Sequence, residues 1–427
     1  MKLSINNIGK LKNAKVEIKG ITVIAGENDT GKSTVGKILF SVFNSFYKLD
    51  EKIIKLKKTN IQNYLQRLIT TNPFEDYPDF SKLIEKIFKD SSIYDKNDLK
   101  LRNDILYFIA ENKTKSEVDE INETNDDYFE NQIKKIQEIL KISEEAFINF
   151  ILTKNIGNEF SNQINNIYLK STGEIELKIR NKRVTIAVEN DDVKSLGSKF
   201  YLDTEAIYMD DPFILDELNS NKKNRNNEND VILANHKEHL QNKLIDKNPN
   251  IIEEIILNSK LEKFLKKLNE TFKGSIRADK NGYFVYKREG QPKELNIKNL
   301  SAGLKSFGIL KMLSQNNLLE ENGTIILDEP EIHLHPEWQI KFAELIVLLQ
   351  KEFGMHILLT THSPYFLKAI QVYSKKYEIS DKCKYYMSEL DGEQAILVDK
   401  TSKTDDLFYK LAISFENLMN EEELYED

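Results

Sequence analysis

Residues Gly26 to Thr34 read Gly-Glu-Asn-Asp-Thr-Gly-Lys-Ser-Thr, a G-x-x-x-x-G-K-S spacing made of residue types that handle phosphate. Gly26 and Gly31 let the backbone turn tightly and approach an anion with no Cβ in the way. Asn28, Asp29 and Thr30 fill the loop between them, so their amides and those of the following helix would face a phosphate with partial positive charge. Lys32 would reach the outer phosphates, Ser33 would ligate a magnesium ion, and Thr34 completes the set. A second group lies far along the chain. Asp328 and Glu329 follow an apolar run, where an aspartate suits magnesium through water and a glutamate suits a general base. His362 follows another apolar run, and a neutral imidazole there would hydrogen-bond a phosphate or an attacking water.

Elements of definite kind must hold these residues. Ile21 to Ala25 is an apolar, β-branched run ending at the loop, and Val35 to Phe40 is helical in character. Strand, loop and helix together are the context the loop requires. Thr324 to Leu327 and Ile357 to Thr361 are continuous apolar runs of the kind found in buried parallel strands, whose C-terminal ends carry sites. Leu300-Ser301-Ala302-Gly303-Leu304-Lys305 precedes an apolar helix, Phe307 to Leu313; alone, Ser-x-Gly there is a common cap.

The rest of the chain is scaffold. Leu3 to Ile5 and Ala14 to Ile18 read as strands around a turn at Gly9. From about Phe43 to Leu169 apolar residues recur at helical spacing: Leu83, Ile84 and Ile87; Phe129, Ile133 and Ile136; Phe160, Ile164 and Ile167. Uninterrupted heptads are absent, so this is a compact helical insertion and no coiled-coil arm. Ile175 to Val188 is a hairpin turning at Asn181-Lys182, Glu205 to Pro212 a core strand, and Ile251 to Phe272 a helix. Further hairpins turn near Asn281-Gly282 and Asp391-Gly392. The expected division is 1–45, the N-terminal part of a core with the phosphate loop; 46–170, the insertion; 171–290, antiparallel strands and connecting helices with a mobile loop near 219–230; 291–372, the C-terminal part of the core; and 373–427, a hairpin, a helix and an acidic tail.

Composition sets the outer bounds. The 427 residues carry 30% charged and 40% hydrophobic side chains, ordinary for a globular protein, and a formal charge of −8. The chain is therefore no general nucleic-acid binder, and DNA contact would need a local patch. Lys52, Lys55, Lys57 and Lys58 form one basic run, and Lys222, Lys223 and Arg225 another. A single cysteine, Cys383, excludes a disulfide framework within one chain and fits a reducing cytosol. No apolar run reaches membrane-spanning length and no signal peptide is evident, so the expected location is the cytoplasm, with no membrane partner. His333 and His335 beside two carboxylates raise the question of a metal site. The stretch also reads as a loop entering a helix from Trp338 to Gln350, with Pro336 near its first turn.

The loop at Gly26, the Leu300-Ser301-Ala302-Gly303 stretch, the Leu327-Asp328-Glu329-Pro330 strand end and His362, in that order, resemble the Walker A, signature, Walker B and switch-histidine motifs of ABC-type ATPases. Glu331-Ile332-His333-Leu334-His335-Pro336 is similar to the stretch after Walker B in the RecF/SMC/OLD-like branch. The sequence departs from that branch at Asp29, where glycine is common, and at Ala302 and Leu304 in the signature. The resemblance implies an α/β P-loop ATPase head, a mixed sheet with flanking helices plus an antiparallel β subdomain, carrying a helical insertion. It implies ATP and Mg²⁺ as cofactors, hydrolysis to ADP and phosphate with Glu329 and His362 catalytic, and Ser33 and Asp328 as magnesium ligands. It also implies a head-to-tail dimer or higher homo-oligomer, in which Ser301, Ala302, Gly303 and Lys305 of one protomer close over the nucleotide of another.

After His362 only residues 363–427 remain, too few for a fused TOPRIM-type nuclease, which needs roughly a hundred residues of strand-helix core. The chain thus resembles the ATPase subunits of two-gene antiphage systems of the Septu and PARIS type, and a separately encoded nuclease or toxin is the expected partner. A RecF-like ATPase that binds DNA directly is the alternative. A transporter nucleotide-binding subunit is the third reading, against which the insertion and the OLD-like stretch argue.

Overall fold

The computed structural model of the chain describes residues 1–69, 78–90, 94, 98–112, 126–166, 168, 172–197, 199–220, 232, 235–245 and 261–423. Contacts divide it into two units, one of Met1–Tyr47 with Ile151–Asp427 and one of Lys48–Phe150.

The first unit is built on strands β1 (Lys2–Ile8), β2 (Leu11–Glu17), β3 (Ile21–Gly26), β4 (Gly173–Ile179), β5 (Lys182–Glu189), β6 (Asp192–Gly197), β7 (Ala206–Met209), β8 (Gly274–Ala278), β9 (Phe284–Arg288), β10 (Leu295–Asn296), β11 (Thr324–Asp328), β12 (His356–Thr361), β13 (Cys383–Asp391) and β14 (Gln394–Asp399). Eleven of them form one mixed sheet in the order β6-β5-β4-β1-β2-β14-β13-β3-β12-β11-β7, and β10-β9-β8 form a second. Neighbouring strands from β13 through β3, β12 and β11 to β7 run parallel. From β6 to β2 the pairing is antiparallel. The parallel strands are apolar almost throughout: every residue of β3, β7 and β11 is buried. That is what a sheet covered on both faces requires.

Helices of the first unit are α1 (Lys32–Phe46), α6 (Glu144–Glu159, which begins in the other unit), α7 (His236–Ile245), α8 (Glu262–Thr271), α9 (Ala302–Gln315), α10 (Pro336–Phe353), α11 (Pro364–Lys376) and α12 (Asp405–Glu423). Phe307, Phe342 and Phe366, from α9, α10 and α11, are each fully buried and join Val23, Leu327 and Leu359 of the sheet in one core. The second unit is helical: α2 (Leu49–Ile69), α3 (Ser81–Lys89), α4 (Asp98–Asn112) and α5 (Asp126–Lys141). It has its own core, in which Ile84, Ile87, Ile133 and Ile136 are buried as their spacing predicts.

Several expectations need correction. Phe160 and Ile164 do not continue a helix, and Ile167 lies outside the described residues. The chain leaves α6 at Glu159, Ser161 and Asn162 take φ of 50° and 60°, and Asn165 bridges to Ile8 of β1. Residues 151–166 lie in the first unit, within the span 46–170 expected for the insertion: Asn155 donates to Ser45 at 2.9 Å and Gly9 to the Ile164 carbonyl at 2.9 Å. The β4–β5 turn is at Arg180-Asn181, one residue early, because Ile179 pairs with Lys182. The strands of 171–290 do not form one subdomain: β4, β5 and β6 extend the main sheet through β1, β7 joins its far edge, and only β8 and β9 enter the small sheet. Most of the 219–230 loop and residues 251–260 of the expected helix lie outside the described residues.

Candidate nucleotide site

Three adjacent parallel strands deliver the candidate residues to one edge. Register aligns Ala25 of β3 with Thr361 of β12, and Asp328 of β11 with Thr360 of β12. The chain therefore leaves the sheet at Gly26, at Glu329 and at His362 side by side, the crevice position for ligands in open α/β sheets. β13 pairs with β3 on its other side, and Ser388 there donates its hydroxyl to the Thr30 carbonyl at 2.6 Å. The Thr30 hydroxyl in turn donates to the Glu27 carbonyl at 2.8 Å, closing the loop on itself.

The loop adopts the backbone its residue types permit. Gly31 takes φ 76°, left-handed, immediately before α1. Asp29, the departure from glycine, takes φ 60°, which aspartate tolerates better than most residues. A Cβ at Gly26 would stand 2.6 Å from the Ser388 carbonyl, so only glycine fits between loop and β13. The Lys32 amine, 4% exposed, donates to the Gly26 and Glu27 carbonyls at 3.1 and 2.7 Å and lies 3.3 Å from a Glu329 oxygen. An open pocket of about 360 Å³ is lined by Asn28, Asp29, Thr30, Gly31, Lys32, Ser33, Thr34, Glu329 and Lys10. Lys10, from the β1–β2 turn, pairs with Asp29. The sequence offered no signal for its arrival there.

The carboxylates differ sharply in setting. Asp328 is buried, with Oδ2 accepting from the Tyr208 hydroxyl at 2.8 Å and Oδ1 from the Thr360 hydroxyl. The Glu329 amide donates to Thr360 Oγ1 at 3.0 Å, and Glu329 itself has φ 48°. Its second oxygen is 3.6 Å from His362 Nδ1. Glu331 is 1% exposed; one oxygen accepts from the Thr361 hydroxyl and from the His362 amide at 3.1 Å, tying together the two loops that leave β11 and β12. Burial raises its pKa above the ordinary glutamate value, against the lowering effect of the Thr361 hydrogen bond. Tyr208, Thr360 and Ser388 support the site without belonging to the motifs that point to it. The adjacent threonines at the end of an otherwise apolar strand were the one visible hint.

The signature stretch lies outside the lining of this pocket. Ser301 is exposed and caps α9, accepting from the Leu304 amide at 3.4 Å. Gly303 is buried where a Cβ would meet the Trp338 ring at 3.1 Å, which lets α9 approach α10 closely. Ala302 is half-buried between them. Lys305 is 1% exposed, with its amine 2.7 Å from Asp216 and 4.7 Å from the centre of the Phe213 ring, so its charge is engaged within its own chain. His335 caps α10, accepting from the Glu337 amide at 3.4 Å, and His333 sets its ring edge-on to Phe213. Among the described residues no group of three or more His, Cys, Asp or Glu is arranged to hold a metal.

In the second unit Lys57 donates to the Leu140 and Ile142 carbonyls, and burial lowers its pKa. Lys58 sits over the Phe88 ring. Lys222, Lys223 and Arg225 lie outside the described residues. Among the described residues no helix is long and apolar enough to cross a membrane.

A protein-family model described as an AAA ATPase domain matches residues 1–367. Septu protein PtuA from Bacillus thuringiensis is 30% identical over 111 residues, which are 23% of this chain and 26% of that protein. The match thus spans about a quarter of that relative's length. Among solved structures, the SMC head domain from Thermotoga maritima is similar at 10% identity and a TM-score of 0.39, over 93% of this chain and 97% of that one. An SmcHead bound to the C-winged helix domain of ScpA reaches a TM-score of 0.44 at 11% identity over 93% and 97%. An Smc head domain with an extended coiled coil, bound to the C-terminal domain of ScpA derived from Pyrococcus furiosus, reaches 0.39 at 12% over 93% and 95%.

Proposed function

The chain belongs to the AAA ATPase domain family, and we propose that it is an ATP-hydrolysing switch that closes head-to-tail on a second copy and controls a separately encoded effector, a nuclease or toxin. The observation that carries the ATPase reading is the meeting of Lys32, Glu329 and His362 at the exits of three neighbouring strands, at 3.3 and 3.6 Å across Glu329. An incoming triphosphate would compete with Glu329 for the Lys32 amine, and the freed carboxylate would then orient the attacking water. His362 would hold that water or the terminal phosphate. Asn28, Asp29, Thr30, Gly31 and Thr34 line the phosphate pocket.

The donor set fits magnesium, which takes hard oxygen ligands and keeps several waters. Asp328, oriented by two hydroxyl donors, and Ser33, at the start of α1, would hold it. When bound, the ion would neutralise charge building on the transferred phosphate.

Two observations support the shared-site part of the reading. Ser301 is exposed at the start of a 14-residue helix, where a hydroxyl and free amides suit a phosphate. The pocket that contains Lys32 contains no residue of 300–305. Because Lys305 is spent on Asp216, we assign the phosphate contact to Ser301 and the amides of Ala302 and Gly303, with Lys305 bracing α9 from within. The effector part is supported by the partial likeness to Septu protein PtuA.

The test is Glu329→Gln, which keeps the shape and removes the base. The variant should bind ATP with wild-type affinity, turn over at least a hundredfold more slowly, of the order of general-base catalysis, and run as a larger species with ATP on sizing. Wild-type turnover would refute the assignment of the base; slow turnover with no change in size would refute the switch.

A further inference from the structure

Tyr208 does nothing in the chemistry outlined above, yet it is fully buried against it. It stands on β7, the edge strand beside β11, in register with Ile326, two residues before Asp328. Its hydroxyl donates to Asp328 Oδ2 at 2.8 Å, while the other carboxylate oxygen takes the Thr360 hydroxyl. Thr360 Oγ1 also receives the Glu329 amide at 3.0 Å, so the same bracket reaches the candidate base. The ring crosses α1 at Gly36, where a Cβ would stand 3.0 Å from Tyr208 Cε2 and 3.3 Å from its hydroxyl. Gly36 is thus the gap in the helix following the phosphate loop through which Tyr208 reaches the carboxylate. The His236 ring, 4.3 Å away, and the edge of Phe40, 6.0 Å away, hold it from the other sides.

We propose that Tyr208 is a positioning residue for the magnesium carboxylate: with Thr360 it fixes the plane of Asp328, so that the acceptor directions the two hydroxyls leave over are set before a cation binds. The proposal rests on the reading of Asp328 as a magnesium ligand. A carboxylate turns about its last bond at little cost, and two converging hydroxyl donors remove that freedom before the ion arrives. Phenylalanine at 208 keeps the packing and deletes one donor. It leaves Asp328 free to turn and weakens cation binding while touching nothing that holds the triphosphate itself.

The experiment measures ATP affinity of the full chain in the Glu329→Gln background, first in EDTA and then across a magnesium titration, for Tyr208→Phe, Gly36→Ala and Asp328→Asn. Tyr208→Phe should bind ATP in EDTA within about twofold of its parent and need about tenfold more magnesium for half-maximal enhancement, the low end of what a hydrogen bond to a charged group supports. Gly36→Ala, whose methyl would stand 3.0 Å from both Tyr208 Cε2 and Ile326 Cγ2 and so crowd the Tyr208 ring, should shift the titration the same way, and tests the same contact if Tyr208→Phe fails to fold. A magnesium requirement unchanged in Tyr208→Phe while Asp328→Asn raises it overturns the positioning role and leaves the magnesium site standing. Equal losses in EDTA and in magnesium mean that Tyr208 only supports the fold, which also overturns it. An unchanged requirement in Asp328→Asn removes the magnesium reading and this proposal with it.

Discussion

Replacing His236 by asparagine should abolish a pH dependence of stability that the surroundings of its ring make measurable. His236 opens α7 and its side chain is 7% exposed. Nδ1 lies 2.6 Å from Glu159 and Nε2 3.0 Å from Asp210. Burial alone would lower its pKa, but the hydrogen bonds to Asp210 and Glu159 outweigh burial and hold it at about 9 against an ordinary 6.5. The folded chain therefore binds this proton more tightly than the unfolded chain. The stabilisation is complete below pH 6.5 and is lost as the pH climbs through about 9. At about 1.4 kcal/mol per tenfold difference in proton affinity, the gap amounts to about 3 kcal/mol.

The lowered pKa of Asp210 is the same interaction seen from the acid side and is not added to it. Lys237, 3.7 Å from both Asp210 and Asp211, and the Tyr208 and Phe40 rings complete the surroundings. The neighbouring Glu205 acts in a separate window. Its carboxyl, pulled down to about 2 by His239 and Lys243 against the opposing effect of burial, contributes stability above 4.5 that is lost as the pH falls. Urea unfolding followed by circular dichroism at pH 6 and pH 9.5 should show the wild type losing about 3 kcal/mol more than His236→Asn between the two. Parallel pH profiles for the two proteins would refute the ion-pair account of the ring.

Two further outcomes follow from the site. Lys32→Ala should weaken ATP binding at least tenfold, of the order of one charge-assisted contact to phosphate, with an unchanged circular dichroism spectrum; unaltered affinity would remove the phosphate-loop assignment. A mixed dimer of Lys32→Ala and Ser301→Arg chains should trap ATP at one site although each homodimer fails, because both lesions then fall on the same shared site; trapping no better than the homodimers would reduce Ser301 to a helix cap.

What the sequence made legible was local. The loop from Gly26 to Thr34 carries its chemistry and its flanking strand and helix in one stretch, and the runs ending at Asp328 and Thr361 announce buried parallel strands by composition alone. What it concealed was non-local. Ser388 props a loop 358 residues earlier, and Tyr208 reaches Asp328 across 120 residues. No spacing encodes either contact. Lys305 shows the same limit from the other side, since its place in the motif implied a contact to another protomer's nucleotide and only the fold brings Asp216 to it. The failure at Phe160 was of a third kind: the helical period continued, but two residues at positive φ had already ended the helix.

The choice between Glu329 and Glu331 as the base is where fold and motif have to be weighed together. Both follow the same strand, two residues apart. Glu331 is 1% exposed and does not line the pocket. One of its oxygens is occupied by the Thr361 hydroxyl and the His362 amide, and burial favours its protonated form. A carboxylate held in that way, outside the pocket, serves as a tie between two loops. Glu329 lines the pocket and lies within 3.6 Å of His362. It does so from φ 48°, a left-handed backbone that costs a residue with a side chain about 1 kcal/mol or more. Glycine would relieve that strain at no loss of packing if only the turn mattered. That the strained position carries a glutamate aimed at the pocket is the reason to assign the base to Glu329 and the scaffold to Glu331.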